Sequence, residues 1–289
     1  MISIRAHAKA NLFLRVLSRE ASGYHSLETL FTLLELADDV SVEERPSGVE
    51  LSVEGDDTGP PGENLATKAA QLVLSATGNR KGVRIHLVKR IPVRAGLGGG
   101  STDGAATLSA VNALLGNPIP RHEILQLAAR LGSDVPFFAS NAPLALGWGR
   151  GERLFRVPAP PAAPALIAIP PFGVSTPEAY RMLDAVSRDS TRGAVAFDGT
   201  GFESWGSIGR LGGNDFESVL FASEPRLRDL FERMAETRPL LVRMSGSGSS
   251  IIALYQNERA REDAARALGE RDQRLIRTAT RAVVPEAPH

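Results

Sequence analysis

The 289-residue chain contains no cysteine, which excludes disulfides and thiolate metal centres. It also lacks net charge: 33 Lys plus Arg stand against 33 Asp plus Glu, so no overall field draws it to nucleic acid or to an anionic membrane. No apolar run approaches the ~18 residues of a membrane-spanning helix. The opening Met1-Ile2-Ser3-Ile4-Arg5-Ala6-His7 has no signal-peptide core. Long repeats and heptads are missing as well. These absences lead us to expect a soluble, cytoplasmic protein with a small-molecule partner, monomeric or weakly dimeric. With 43% hydrophobic and 23% charged residues, its length suits two domains.

Glycine, by contrast, is plentiful, and four of the five residues from Gly96 to Gly100 are glycine. The stretch Ile91-Pro92-Val93-Arg94-Ala95-Gly96-Leu97-Gly98-Gly99-Gly100-Ser101-Thr102-Asp103 lies between a strand-like run (Val83 to Lys89) and a helix-like run (Gly104 to Leu115). A backbone without Cβ atoms can curl so that successive N–H groups point at one anion. A helix opening just beyond adds unpaired donors and the positive end of its dipole. A flexible turn is the plainer reading, but the flanking elements favour a phosphate cradle. Ser101 stands where the P-loop pattern needs lysine, and the dinucleotide pattern fails for want of a later acidic residue.

Around this loop the sequence predicts strands at Ile2–Ala8, Asn11–Val16, Leu27–Glu35, Asp39–Glu44 and Val49–Val53. Helices are predicted at Asn64–Ala76 and Pro120–Leu131. Clustered strands with irregularly spaced helices indicate an α+β fold. Four prolines between Pro158 and Pro164 suggest a boundary, giving domains 1–157 and 165–289. The second domain should open with a strand (Ala165–Ile169) and close with a strand (Ser250–Tyr255) and a helix (Arg259–Gly269). Residues 187–213, rich in glycine and serine, read as an irregular excursion and a candidate lid.

Three further segments carry candidate chemistry. In Ala8-Lys9-Ala10-Asn11-Leu12, period two puts Lys9 and Asn11 on one strand face, either as site residues or as surface groups on an edge. In Gly132-Ser133-Asp134-Val135-Pro136-Phe137, Asp134 precedes an apolar run, either as a reacting carboxylate or as a helix cap. Ser245-Gly246-Ser247-Gly248-Ser249 is a second small-residue loop, between apolar flanks that favour close approach to a ligand over a linker.

The segment Pro92-x-x-x-Gly96-Leu97-Gly98-Gly99-Gly100-Ser101 resembles the phosphate loop of the GHMP kinases, which phosphorylate small metabolites. Four more segments resemble the branch that phosphorylates 4-diphosphocytidyl-2-C-methyl-D-erythritol: Lys9 to Leu12, Gly23-Tyr24-His25-Ser26-Leu27-Glu28-Thr29-Leu30-Phe31, Gly132 to Phe137, and Asn214-Asp215-Phe216-Glu217. The resemblance implies a two-domain α+β fold, with a ribosomal-protein-like N-terminal domain, a ferredoxin-like C-terminal domain and a site in the cleft between them. It implies ATP as phosphoryl donor with Mg²⁺, a cytidine-diphosphate-linked acceptor and a place in the methylerythritol phosphate route to isoprenoids.

By the same resemblance, Asp134 is the base and Lys9 the cation that stabilises developing charge. Asn11 fixes the acceptor, and Pro92 to Thr102 hold the ATP phosphates. Gly246 and Ser247 close over them. Ser101 or Thr102 offers a hydroxyl to phosphate or metal. His25 meets the cytosine edge, where a neutral imidazole supplies one donor and one acceptor. Tyr24 and Tyr180 clamp its faces, although ordinary helix packing would also account for Tyr180. Asn64, and less directly Lys89, fall to the adenine side. Ser22, Arg94, Thr102, Gly104 and Phe216 depart from the family pattern. Arg94 either points outward or adds a phosphate contact. A homoserine or mevalonate kinase, a relative that binds ATP without turnover, or a nucleic-acid-binding module are the alternatives; Tyr24-His25 and the neutral charge weigh against the first and last.

Overall fold

The computed structural model describes residues 1–21, 23–186, 198–270 and 272–282. Two sheets organise the chain. The first has six strands in the order β3-β4-β2-β5-β6, with β1 also paired to β2. Its members are β1 (Ile2–Arg19), β2 (His25–Arg45), β3 (Val49–Glu54), β4 (Gly82–Val88), β5 (Leu144–Gly149) and β6 (Arg153–Arg156). The second is an antiparallel four-stranded sheet, β10-β7-β9-β8, built from β7 (Pro164–Ile169), β8 (Leu241–Met244), β9 (Ile251–Leu254) and β10 (Arg274–Ala279).

Each of the first two strands is one continuous element where two were expected. Antiparallel pairing runs from Ile2↔Val42 to Arg19↔His25, with register shifts at His7/Lys9, Asn11/Phe13 and Val16/Ser18. Those bulges interrupt the side-chain alternation, which is why the sequence reads as separate short strands. Two of them flank Lys9 and Asn11, and a bulge is a common device for re-aiming side chains toward a site.

Four helices accompany the first sheet, α1 (Leu65–Thr77), α2 (Gly99–Leu114), α3 (Arg121–Leu131) and α4 (Val135–Ala139), and α5 (Thr176–Ala185) follows β7 and packs with the second sheet. Helix α2 starts inside the glycine run, earlier than its composition suggests. It is buried over most of its length because small residues (Ala105, Ala106, Ala110) let it lie close under its neighbours. At Gly104 a Cβ would come 3.2 Å from Leu65 Cβ, so the glycine serves the α1–α2 contact.

Residues 187–197 of the candidate lid lie outside the described residues, as does Ser22. The described part of that excursion holds a short 3-10 turn (Gly199–Phe202) and α6 (Trp205–Arg210), with Phe202, Trp205 and Ile208 buried in the core and Trp205 Nε1 donating to Pro161 O at 2.8 Å. Aromatic burial, invisible to a glycine count, fixes it. Three more helices follow, α7 (Asp215–Ser223), α8 (Pro225–Glu236) and α9 (Glu258–Leu268).

The second sheet shows the period-two pattern on both faces. Ala165, Ile167, Ile252 and Leu254 pack with Ala8, Ala10 and Leu12 of β1. Their neighbours Leu166, Ala168, Ile251 and Ala253 pack under α5 and α7–α9. The apolar face of the Lys9 strand therefore meets the second sheet directly, and this contact brings the two glycine-rich loops together.

Candidate active site

A cavity of roughly 1240 Å³ opens where the two sheets meet. Lys9 projects into it from β1, almost wholly buried, and its Nζ lies 3.5 Å from Asp134 Oδ2. The same Nζ donates to Asn11 Oδ1 at 2.5 Å. Asn11 Nδ2 donates to Thr29 Oγ1 at 2.7 Å, and the Thr29 hydroxyl donates to Phe13 O at 2.7 Å. This chain of donors fixes the amide orientation of Asn11, so its oxygen faces the ammonium. Lys9 and Asn11 are thus a paired, buried unit rather than surface groups on an edge.

Asp134 occupies the residue before α4 but makes no side-chain capping bond. Its carboxylate, 32% exposed, faces Lys9 and the cavity, which decides against the helix-cap alternative. A carboxylate with one cationic neighbour and an open side can accept a proton from a bound hydroxyl.

The glycine loop crosses behind this pair. Lys9 N donates to Leu97 O at 3.0 Å, so strand and loop are directly hydrogen-bonded. Gly96 (φ 73°) and Gly98 (φ 72°) adopt left-handed conformations, and both line the cavity. A Cβ at Gly98 would lie 2.7 Å from Phe138 Cζ and 3.0 Å from Lys9 Cγ, so a side chain there would strike the Lys9 stem. Helix α2 opens at the next residue, and among the described residues no side chain caps its first turn. Those features fit an anion held by backbone N–H groups.

The rest of the loop has unequal roles. Ser101 lines the cavity, whereas Thr102 is buried, so the geometry favours Ser101 for a hydroxyl contact. Pro92, Ala95 and Leu97 are buried and anchor the turn. Gly99 sits over Ile91 and the Lys89 ammonium, and Gly100 faces open space. Val93 and Arg94 are exposed and stand outside the cavity wall, Arg94 with a left-handed φ of 59°.

The second loop approaches from the other sheet. Gly246 (φ 59°) and Ser247 line the cavity, and Ser247 Oγ lies 2.8 Å from Thr176 Oγ1. Asn214 holds this loop by donating to Met244 O (2.8 Å) and Gly246 O (2.7 Å), while its own Oδ1 caps α7 through Phe216 N. Glu217 completes that capping box and accepts from Met244 N at 2.9 Å. The segment Asn214 to Glu217, which the sequence left without a role, is a clasp for the loop.

At the far end of the cavity His25 Nε2 lies 2.8 Å from Asp184 Oδ1, and the imidazole stacks on Tyr180 at 4.5 Å and 20°. Tyr180 in turn meets Phe216 edge-on at 4.9 Å. Tyr24, 60% exposed, carries the Arg150 guanidinium over its ring at 4.0 Å, and that arginine is held by Glu20 at 2.7 Å. Thr29, Asp184 and Arg150 also line the cavity and Ser245 is buried in the second loop; the sequence assigned none of the four a role of its own. Only their partners reveal them.

Two expected residues are placed elsewhere. Asn64 is the N-cap of α1: its Oδ1 accepts from Ala66 N at 2.9 Å, its Nδ2 donates to Thr58 Oγ1 at 3.1 Å, and it does not line this cavity. Lys89 is sealed beneath the loop, bonded to Asp38 and, at 2.8 Å, to Asp103 Oδ2. Burial opposes the Lys89 charge, yet its pKa is raised because the Asp103 and Asp38 carboxylates outweigh the lost hydration. Its contacts make it a support for the loop.

Two segments match known domain patterns: residues 64–142 the GHMP kinases N terminal domain, and residues 194–273 the GHMP kinases C terminal domain. Together they span more than half of the chain. This chain belongs to the GHMP kinase family. Among its relatives, the 4-diphosphocytidyl-2-C-methyl-D-erythritol kinase of Solibacter usitatus is 37% identical, over 92% of this chain and 85% of that protein. The enzyme of that name from Pelotomaculum thermopropionicum is 39% identical, over 92% and 93%. A crystal structure of 4-(cytidine 5'-diphospho)-2C-methyl-D-erythritol kinase superposes with a TM-score of 0.79 at 37% identity, covering 96% of this chain and 98% of that one. The α+β fold expected from sequence and the kinase class therefore stand. Among the described residues no helix is long and apolar enough to cross a membrane.

Proposed function

We propose that this GHMP kinase transfers the γ-phosphoryl group of ATP to the 2-hydroxyl of 4-diphosphocytidyl-2-C-methyl-D-erythritol, giving the 2-phosphate and ADP in the methylerythritol phosphate route to isoprenoids. The observation that carries the reading is the Lys9–Asp134 pair, 3.5 Å apart, opening on a cavity bordered by the glycine loop.

Phosphoryl transfer needs positioning and charge stabilisation more than covalent help. Backbone N–H groups around Gly96 to Ser101 hold the donor phosphates. Asp134 accepts the proton of the acceptor hydroxyl as its oxygen bonds to the γ-phosphorus and the bond to the ADP oxygen breaks. Lys9 neutralises charge on the oxygens in flight, and Asn11 keeps it aimed. Among the described residues no group of three or more His, Asp or Glu side chains is placed to hold a metal. Mg²⁺ arriving with the nucleotide would find the Ser101 hydroxyl on the cavity wall and would supply charge neutralisation at the phosphates.

His25 and Tyr24 recognise the cytidine end, and Tyr180 supports His25 by stacking. The division between the two halves falls in the proline-rich segment 158–164. The test is ADP release from MgATP with the cytidine compound, beside mevalonate, homoserine and no acceptor. Turnover with the cytidine compound alone is expected. Turnover with another alcohol would keep the kinase and discard the roles of Tyr24 and His25.

A further inference from the structure

Ser245 is wholly buried in the loop after β8, yet its hydroxyl touches both other parts of the machinery. Its Oγ donates to Gly96 O at 2.9 Å, in the phosphate loop. The same oxygen accepts from Asn11 N at 3.3 Å, on the strand that carries Lys9. The backbone around it is equally committed: Ser245 N donates to Ser250 O at 2.9 Å, and Gly248 N donates to Ser245 O at 3.1 Å. A Cβ on Gly96 would come 2.4 Å from Ser245 O, so the two loops meet backbone to backbone.

We propose that Ser245 is a positioning residue that sets the distance between the phosphate-holding loop and the acceptor-side pair Lys9–Asn11. The inference rests on the kinase reading above. A hydroxyl has one proton and two lone pairs, so one oxygen can tie an N–H and a carbonyl at the same time. No other single atom among the described contacts joins β1, the phosphate loop and the second small-residue loop. Asn11 is held at both ends by this arrangement, its backbone by Ser245 and its amide by Thr29 and Lys9. An error of about an ångström between donor and acceptor costs on the order of a hundredfold in rate, so a rivet here acts on chemistry more than on binding.

The test compares Ser245→Ala, which removes the hydroxyl without adding bulk, with Ser245→Thr, which keeps it. For Ser245→Ala the expected result is a fall in kcat of about 30- to 100-fold with each KM changed less than about threefold. ADP released per acceptor phosphorylated should rise above one, because the loops no longer close in register. Ser245→Thr should recover most of the kcat. Unchanged kcat and coupling in Ser245→Ala, beside an active wild type, would overturn the proposal, as would a defect confined to the KM for ATP.

A second measurement does not depend on which acceptor is used. Amide hydrogen exchange is followed with and without a non-hydrolysable ATP analogue and Mg²⁺. In the wild type, nucleotide should protect both residues 95–102 and residues 9–12. In Ser245→Ala, protection should persist at 95–102 and vanish at 9–12. Equal protection of both segments in the variant would sink the coupling role even if the acceptor assignment itself were wrong.

Discussion

Two buried lysines sit beside carboxylates, and their settings differ. Lys9 has one carboxylate, Asp134, at 3.5 Å, with side-chain exposures of 5% and 32%. Lys89 has two, Asp38 and Asp103, and all three side chains are essentially sealed. Asp38 is further committed through Oδ1 to the N–H groups of Arg90 (2.5 Å) and Ile91 (2.8 Å). The sealed cluster holds the base of the phosphate loop; the open pair faces the cavity. On the proposed function, what separates machinery from scaffold is a carboxylate left with an accessible side, not the presence of an ion pair. Buried ion pairs are poor evidence of net stability in themselves, but breaking one is costly.

The sharpest way to break the comparison is Asp134→Asn. Removing a base while keeping its shape should lower kcat up to ~10⁴-fold, with the fold intact, since general-base contributions run from about 10² to 10⁴. ADP release and a thermal melt on the same preparation check both halves, and turnover within about threefold of wild type would remove Asp134 from the chemistry. Lys89→Met should do the reverse. Two carboxylates left without their cation cost ~3–5 kcal/mol of stability, read as a lowered urea midpoint. A loss below ~1 kcal/mol would mean that the cluster is not what holds the loop base.

How much of this was readable from the chain depends on range. Lys9 and Asn11 share a face by simple alternation, and the glycine run announces a backbone cradle; both are local signals. The length of β1 was not readable, because bulges on either side of Lys9–Asn11 break the alternation that marks a strand. Strands β5 and β6 hide behind Gly147, Gly149 and Gly151, which look like loop. At Gly147, however, a Cβ would lie 2.8 Å from Phe31 Cε2, so the glycine serves sheet packing. Ser245 and Thr29 gain their roles from Asn11, which lies 234 and 18 residues away in sequence. No spacing rule reaches that far.

A subtler test uses pH. Burial, with the nearby Asp38 charge adding and Lys89 opposing, pushes the Asp103 carboxyl up to about 7 from 3.8. Folded protein then holds a proton that the unfolded chain has released. The contribution of this group is full below about 4 and is lost as pH rises toward 7. His7 runs the other way. Burial, reinforced by Arg281, lowers it from 6.5 to about 4, so its contribution is present above 6.5 and lost as pH falls. The two windows overlap with opposite sign, so wild-type stability alone is uninformative. The difference between wild type and Asp103→Asn isolates the carboxylate: urea midpoints should shift in favour of the variant as pH rises from about 4 to about 7. A pH-independent difference would show that Asp103 stays ionised throughout.

The smallest expected effect concerns Asn64, where a ligand role and a scaffold role again compete. Its Oδ1 is engaged with Ala66 N at the start of α1, and loss of such a cap costs about 1 kcal/mol. Asn64→Ser keeps a capping oxygen but removes the amide, whereas Asn64→Ala removes both. If Asn64 is scaffold only, Ala should lower the melting temperature by a few degrees, Ser should restore it, and the KM for ATP should stay within about twofold in both. If the amide also reaches the adenine, Ser will melt like wild type yet bind ATP as poorly as Ala. Stability and nucleotide affinity moving apart in the serine variant would put Asn64 on the ligand side of the division that separates Lys9 from Lys89; moving together, they leave it with the scaffold.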